Sequence, residues 1–392
     1  MKRNFVNIII CSLLLVLLQT SELFSQDSVT VQWKSSDNQE KTVCGQVLAD
    51  YELDNGDRLL SVEDSFGQIH CFRQHEIISV TKNEEPFKKA TSQEMISLLS
   101  EEFGASFKTL TTEHFVIVYN TSEGYAAWCG KLFEMIYDSF ERYQKKRNLD
   151  LKATDIPLVA VLFSNKKELM NYAAQDGFDA SSIVAYFHRM NNRMILYDLS
   201  EEESKISESA PKSRSYRQIE QILSRPQAAY NVATIVHEAT HQITFNRNMI
   251  LRSGPFPLWL SEGTSMYFET PDKNASNGWS SRGSGKPNIL RLKLLIEYFA
   301  MRPIEPIQNV IREEKFMNHV DYSYAVSWAL FYYLNAKKPK QLVQYINLVR
   351  QKSPFSVYSP QERLDDFEAV FGNDWKKFYK DFIRFFEKLQ KY

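Results

Sequence analysis

Glycine and proline are scarce in this chain, 13 of each among 392 residues. That excludes collagen-like and Gly/Pro-rich disordered classes. An excess of charge of one sign is also missing. Lys and Arg number 47 against 48 Asp and Glu, a formal net charge of -1. A balance so near neutral argues against a nucleic-acid binder held by bulk charge, and against a polybasic membrane-surface protein. The N-terminal apolar stretch, Val6–Leu18, is interrupted by Asn7 and the Cys11–Ser12 pair and is too short to span a bilayer comfortably. Cysteine is rare, four in all, and no Cys-x-x-C occurs, so a cysteine-ligated structural zinc is not expected. Internal repeats and low-complexity tracts are absent as well.

What is present is the composition of a globular protein with a large core. Apolar residues make up 43%, charged residues 24% and aromatics 13%, which excludes disorder over most of the length. The length suits two or three domains. Lys2 and Arg3 before Val6–Leu18, with Ser25 as a small residue before Gln26, read as a signal peptide over residues 1–25, with a retained N-terminal anchor as the alternative. The mature chain is therefore expected to be exported (periplasmic, cell-surface or secreted), with no stable membrane insertion after cleavage. Cys11 leaves with that segment. Cys44 and Cys71 share one β-rich region and could pair in an oxidising compartment. Cys129, on an apolar helical stripe, reads as a buried free thiol.

Residues 26–88 read as a small β module. Ser28–Trp33, Thr42–Leu48, Arg58–Val62, Gln68–Phe72 and Ile77–Thr81 are short, β-branched or alternating runs. Asn55-Gly56 and Asp64–Gly67 mark turns. Five such strands suggest an SH3-like barrel, a binding module or a packing appendage. Residues 89–106 read as a linker. An α/β segment follows over 107–250. His114–Tyr119 is a strand ending in the cap cluster Asn120-Thr121-Ser122. Cys129, Phe133, Ile136, Phe140 and Tyr143 then mark one face of a helix. Leu158–Phe163 is continuously apolar, as a central strand would be. Ile183–Phe187 and Arg193–Tyr197 read as a hairpin. Ser200–Ser215 reads as a polar surface loop, and residues 251–392 as a helical subdomain.

The informative stretch is Pro226–Asn246. Val232, Val236, Ala239 and Ile243 form an apolar stripe of a helix, and inside it lies His237-Glu238-Ala239-Thr240-His241. Positions four apart on a helix differ by about 40° and lie about 6 Å apart along the axis. Both imidazoles therefore project from one face and can reach one zinc ion at about 2.0–2.1 Å. Glu238, at the edge of that face, can reach a water on the metal without ligating it, which is the mechanical content of H-E-x-x-H. An open catalytic zinc site needs a third protein ligand. Glu262, in Trp259-Leu260-Ser261-Glu262-Gly263, is the preferred candidate, because its surroundings are apolar and Gly263 permits close backbone approach. Glu269, two helical turns later, is the competitor and a candidate to hold a ligand in place. His70, His75, His114, His188 and His319 show no paired ligand spacing and read as surface or structural residues.

His237–His241 with Gln242, and Trp259–Gly263 with Tyr267, together resemble a gluzincin zinc metallopeptidase. The Trp-Leu-x-Glu-Gly element is similar to that of aminopeptidase N-like enzymes. The wider run more closely resembles an uncharacterised bacterial family of exported gluzincin-type peptidases. The resemblance covers about residues 107–340 and is strongest at the two motifs. It implies an α+β architecture: a metallopeptidase-like domain with a mixed sheet, a zinc-binding helix and a C-terminal helical subdomain, beside the small N-terminal barrel. It implies Zn2+ on His237, His241 and Glu262, Glu238 as general base, and a peptide or protein substrate. It also implies a downstream tyrosine as oxyanion donor. Tyr324 is the closest match, a core tyrosine is the competing reading, and Tyr322 and His319 are the alternatives. An upstream G-x-M-E-N exopeptidase motif is missing, which points away from aminopeptidase activity. An inactive zinc-site pseudo-peptidase acting as a binding module, and a zinc hydrolase of a non-peptide bond, remain alternatives. The intact Glu238 favours an active enzyme over the first.

Overall fold

The computed structural model describes residues 28–389, except 36–37, 53–55, 201–213, 273–278, 281, 302–305 and 315. The expected signal peptide, most of the expected 200–215 loop and Asn55 of the first turn signal lie outside the described residues. The chain forms two compact units, divided between Met95 and Ile96.

The first unit carries five antiparallel strands: β1 (Ser28–Lys34), β2 (Glu40–Glu52), β3 (Arg58–Asp64), β4 (Ile69–Arg73) and β5 (Ile77–Lys82). A 3-10 turn, Gln74–Glu76, precedes β5. All five were legible as β-branched or alternating runs. The strand order is β4-β3-β2-β1-β5. Val29, Val31, Val47, Leu60, Val62 and Phe72 form its core, with Trp33, Val43 and Ile77 packed against them. Among the described residues no pairing joins β4 to β5, so a closed barrel is not formed. Cys44 on β2 and Cys71 on β4 do not form the disulfide that their shared region allowed, and β3 lies between their strands. Cys129 is free and buried, as its stripe predicted.

The stretch expected to be a linker contains helix α1 (Ser92–Phe103). The second unit is built on a mixed sheet of β6 (Lys108–Thr111), β7 (Phe115–Tyr119), β8 (Leu158–Phe163), β9 (Ala185–His188) and β10 (Arg193–Tyr197), in the order β6-β7-β8-β10-β9. β7 and β8 are buried at every residue and pair in parallel, as do β8 and β10. Parallel strands covered on both faces need continuous apolar runs, and these two supply them. Between them run α2 (Glu123–Arg147), capped by Ser122, and α3 (Lys166–Gln175), capped by Asn165.

β9 and β10 form the expected hairpin, antiparallel, with Arg193 opposite His188. Asn192 turns it with a φ of 60°, a left-handed conformation that asparagine tolerates. The hairpin places β9, not β10, at the edge of the sheet. Periodicity finds both strands but does not say on which side the return strand lies.

Helices complete the unit: α4 (Tyr216–Leu223), α5 (Ala229–Asn246), α6 (Leu258–Phe268), α7 (Ile289–Met301), α8 (Pro306–Arg312), α9 (Val320–Lys337), α10 (Pro339–Arg350), α11 (Pro360–Phe371) and α12 (Trp375–Leu389). Among the described residues no helix is long and apolar enough to cross a membrane.

Candidate metal centre

Pro226–Ala228 makes a 3-10 turn that leads into α5. Val232, Val236, Ala239 and Ile243 are all buried, as their spacing predicts. Gln242 fixes the helix to the sheet: its side-chain N–H groups donate to the carbonyls of Val159 on β8 (2.9 Å) and Asn192 in the hairpin turn (3.0 Å). The side-chain amides of Asn246 and Asn192 exchange two further bonds, 2.7 and 2.9 Å. The motif is thus held by one end of its helix to the strands behind it.

α5 packs against α6, which carries Glu262. Gly263 sits where α6 meets α9. A Cβ there would lie 2.5 Å from the Ser327 carbonyl oxygen and 2.8 Å from the Phe331 Cβ. The close backbone approach expected at Gly263 is real, but it is an approach to a helix rather than to the metal site.

These contacts bring His237, His241 and Glu262 together. One ligand atom from each lies within 4.8 Å of the others, a group that could hold a metal ion. His237 Nε2 is 3.1 Å from His241 Nε2 and 3.1 Å from Glu262 Oε2, and His241 Nε2 is 3.5 Å from Glu262 Oε1. Ligands at about 2.0–2.1 Å from a tetrahedral ion stand about 3.3–3.4 Å from one another. The observed edges bracket that value. Both histidines are 8% exposed.

The opposite ring nitrogens explain why these three edges face each other. His237 Nδ1 donates to Glu269 Oε2 at 2.7 Å. Glu269 Oε1 accepts from Asn288 Nδ2 at 3.0 Å and lies 3.6 Å from Arg291 Nε. His241 Nδ1 lies 3.1 Å from the hydroxyl oxygens of both Ser261 and Ser265, one turn apart on α6. With Nδ1 carrying the proton, each Nε2 presents a lone pair to the shared space. Two lone pairs and a carboxylate converging without a cation or shared protons would repel, so the donor set fits a metal ion. Glu269 thereby takes the supporting place foreseen for it, seven residues and two turns beyond Glu262. Ser261, Ser265, Asn288 and Arg291 were not singled out from sequence. The serine pair carried a signal, since its spacing of four matches that of the histidines across the helix interface.

Electrostatics follow from burial among charges. Burial alone would lower the His237 imidazole, but the Glu262 and Glu269 carboxylates raise it well above the ordinary histidine value. Burial would raise Glu262, yet His241 and His237 hold it far below the usual carboxylate range. Burial raises Glu238, opposed by the two histidines. Burial, then the charges of Glu262 and Glu238, push the Tyr324 phenol up.

A cavity of about 510 Å³ reaches His237, Glu238, Glu269, Asn288, Arg291 and Tyr324. Glu238 Oε2 accepts the backbone N–H of Phe187, on edge strand β9, at 2.9 Å. Val184 and Ala185 line the same cavity. The Tyr324 ring lies 6.4 Å from that of His237, nearly parallel at 20°. It is therefore at the cavity wall and not in the helical core. Tyr322 packs instead against Tyr298, with ring centroids 4.7 Å apart, and His319 is exposed at the start of α9. Elsewhere, His114 Nδ1 pairs with Glu134 at 2.7 Å and His70 with Asp64 at 2.8 Å. His188 Nδ1 accepts the Asn191 N–H. Glu113, His114 and Glu134 form a second, more exposed group whose ligand atoms lie within 4.8 Å of one another.

Residues 231–356 match the model of a family described as a protein of unknown function (DUF1570). The matched span contains the two histidines, Glu238, Glu262, Glu269, Asn288, Arg291 and Tyr324. None of the curated proteins compared matches this chain.

Proposed function

We propose that this chain is an exported zinc-dependent peptidase, with His237, His241 and Glu262 as metal ligands and Glu238 as general base. The observation that carries this reading is the convergence of three ligand atoms at the edge lengths of a tetrahedral site, beside a cavity that Glu238 lines. Zinc held there would supply Lewis acidity, lowering the pKa of a water toward about 7 and polarising a carbonyl. The chain's own groups do the rest. Glu238 accepts a proton from the attacking water and delivers it to the leaving amine, with Phe187 N–H fixing its carboxylate. Glu269, Ser261 and Ser265 set the orientation of the two rings. Tyr324 donates a hydrogen bond to the developing oxyanion. The Lys2–Arg3 pair before Val6–Leu18 supports export. For the N-terminal unit we infer an incompletely closed SH3-like barrel, supported by β1 pairing with both β2 and β5 around one core.

The decisive experiment combines metal analysis with digestion of a peptide library. The expected result is about one zinc per chain, removed by chelator, and peptide cleavage that disappears with it. Purified protein that takes up no zinc would overturn the site. Zinc uptake with no peptide cleaved would leave the pseudo-peptidase or non-peptide hydrolase reading in its place.

A further inference from the structure

The cavity holds a cation that the proposed chemistry leaves unused. Arg291 lines it, in the first turn of α7, on a side chain only 13% exposed. Among the described residues no hydrogen bond reaches its guanidinium. Its ion pair is with Glu269, at 3.6 Å, beyond hydrogen-bond length. Glu269 is itself committed to His237 and Asn288. The guanidinium sits over the Tyr324 ring, 5.6 Å from its centroid. The Nε is buried without a hydrogen-bond partner. Neither of the two terminal nitrogens is among the buried atoms without partners.

Its position on the helix sharpens the point. The first turn of α7 contains no acidic residue. A cation there is unfavourable beside the positive end of the helix dipole, which favours an anion instead. Asn288 and Leu290, at the same helix end, also line the cavity. The helix terminus and the arginine together make one corner of the cavity positive. Glu269 offsets part of this charge from 3.6 Å, but its oxygens are also engaged by His237 and Asn288, so the guanidinium's hydrogen-bond donors are left for another anion.

Resting on the peptidase reading above, we propose that Arg291 and the N-terminus of α7 form an anion subsite, so that the preferred substrate carries a carboxylate close to the scissile bond. The Tyr324 ring centroid lies 5.6 Å from the Arg291 guanidinium and 6.4 Å from the His237 ring, so the guanidinium is no further from the His237 ring than the sum of those two distances. At about 3.3–3.6 Å per residue, that places the carboxylate within about three residues of the bond cut. A guanidinium binds a carboxylate in a paired, planar geometry that a lysine does not reproduce. The carboxylate is either the free C-terminus of a peptide or an Asp or Glu side chain.

The test uses the zinc-loaded full chain and matched peptides: free acid against C-terminal amide, and Asp/Glu against Asn/Gln. The wild type is expected to favour one carboxylate-bearing set by about 10–100-fold in kcat/KM, the range for a charged hydrogen bond. Arg291→Met, which keeps the stem, should retain zinc and lose that preference, mainly through KM. Arg291→Lys should recover part of it. Loss in the amide series identifies a C-terminal carboxylate; loss in the Asn/Gln series identifies a side chain. A preference that survives Arg291→Met, or an equal drop on all peptides with reduced zinc content, makes Arg291 a support for Glu269 only and overturns the subsite. Should no peptide be cleaved, the peptidase reading fails separately. Binding of the same peptides, labelled with a fluorophore, then decides the subsite: equal affinity for acid and amide forms, or affinity unchanged in Arg291→Met, would reject it.

Discussion

Glu269 Oε2 lies 2.7 Å from His237 Nδ1, on the far side of the ring from the nitrogen that faces His241 and Glu262. A carboxylate in that place fixes the tautomer and makes the ligand more basic. Glu269→Gln should therefore weaken zinc binding by about 10–100-fold without abolishing it. Competition with a chelator of known affinity measures this. Unchanged zinc affinity would show that the contact does not tune the ligand.

Glu238 is separable from the metal. Glu238→Gln should keep zinc at wild-type stoichiometry and lower turnover by about 10²–10⁴-fold, as for removal of a general base. Metal content and activity must be measured on the same sample. Loss of zinc in the Gln variant would make Glu238 a ligand.

His237→Ala and His241→Ala each leave two of three ligands, so tight zinc binding should vanish in both. Zinc binding is also expected to raise the denaturation midpoint of the wild type, and not that of either variant, because a ligand held by the native state alone stabilises it. A midpoint that responds equally to zinc in all three proteins would place the metal elsewhere.

Tyr324→Phe removes one hydroxyl at the cavity wall and leaves the ring against His237 and Arg291. Zinc content should stay constant while kcat falls by about 10²–10³-fold, the usual loss for one oxyanion donor, with little change in KM. Near-normal kcat with reduced folding stability would assign the hydroxyl a packing role.

Gly263→Ala tests the helix crossing that delivers Glu262. The added methyl meets the Ser327 carbonyl and the Phe331 Cβ at separations that force the helices apart. Overpacking of this kind costs about 1–3 kcal/mol, which a chemical-denaturation midpoint will register. Zinc affinity should fall as well, since Glu262 moves with the backbone beside it.

The sequence alone determined the local chemistry. A spacing of four on a charge-poor helix puts His237 and His241 on one face whatever the rest of the chain does, because helical periodicity is a local property. The apolar runs of β7 and β8, the caps at Ser122 and the five N-terminal strands were legible for the same reason. Tertiary structure decided what lies across from each of these faces. The serines on His241 Nδ1, the chain from Glu269 to Asn288 and Arg291, and the Phe187 N–H on Glu238 all depend on which helices and strands touch. No periodicity encodes that. The same holds for β9 at the sheet edge and for the separation of Cys44 from Cys71, since strand runs predict strands but pairing order is set by the packing of the whole sheet.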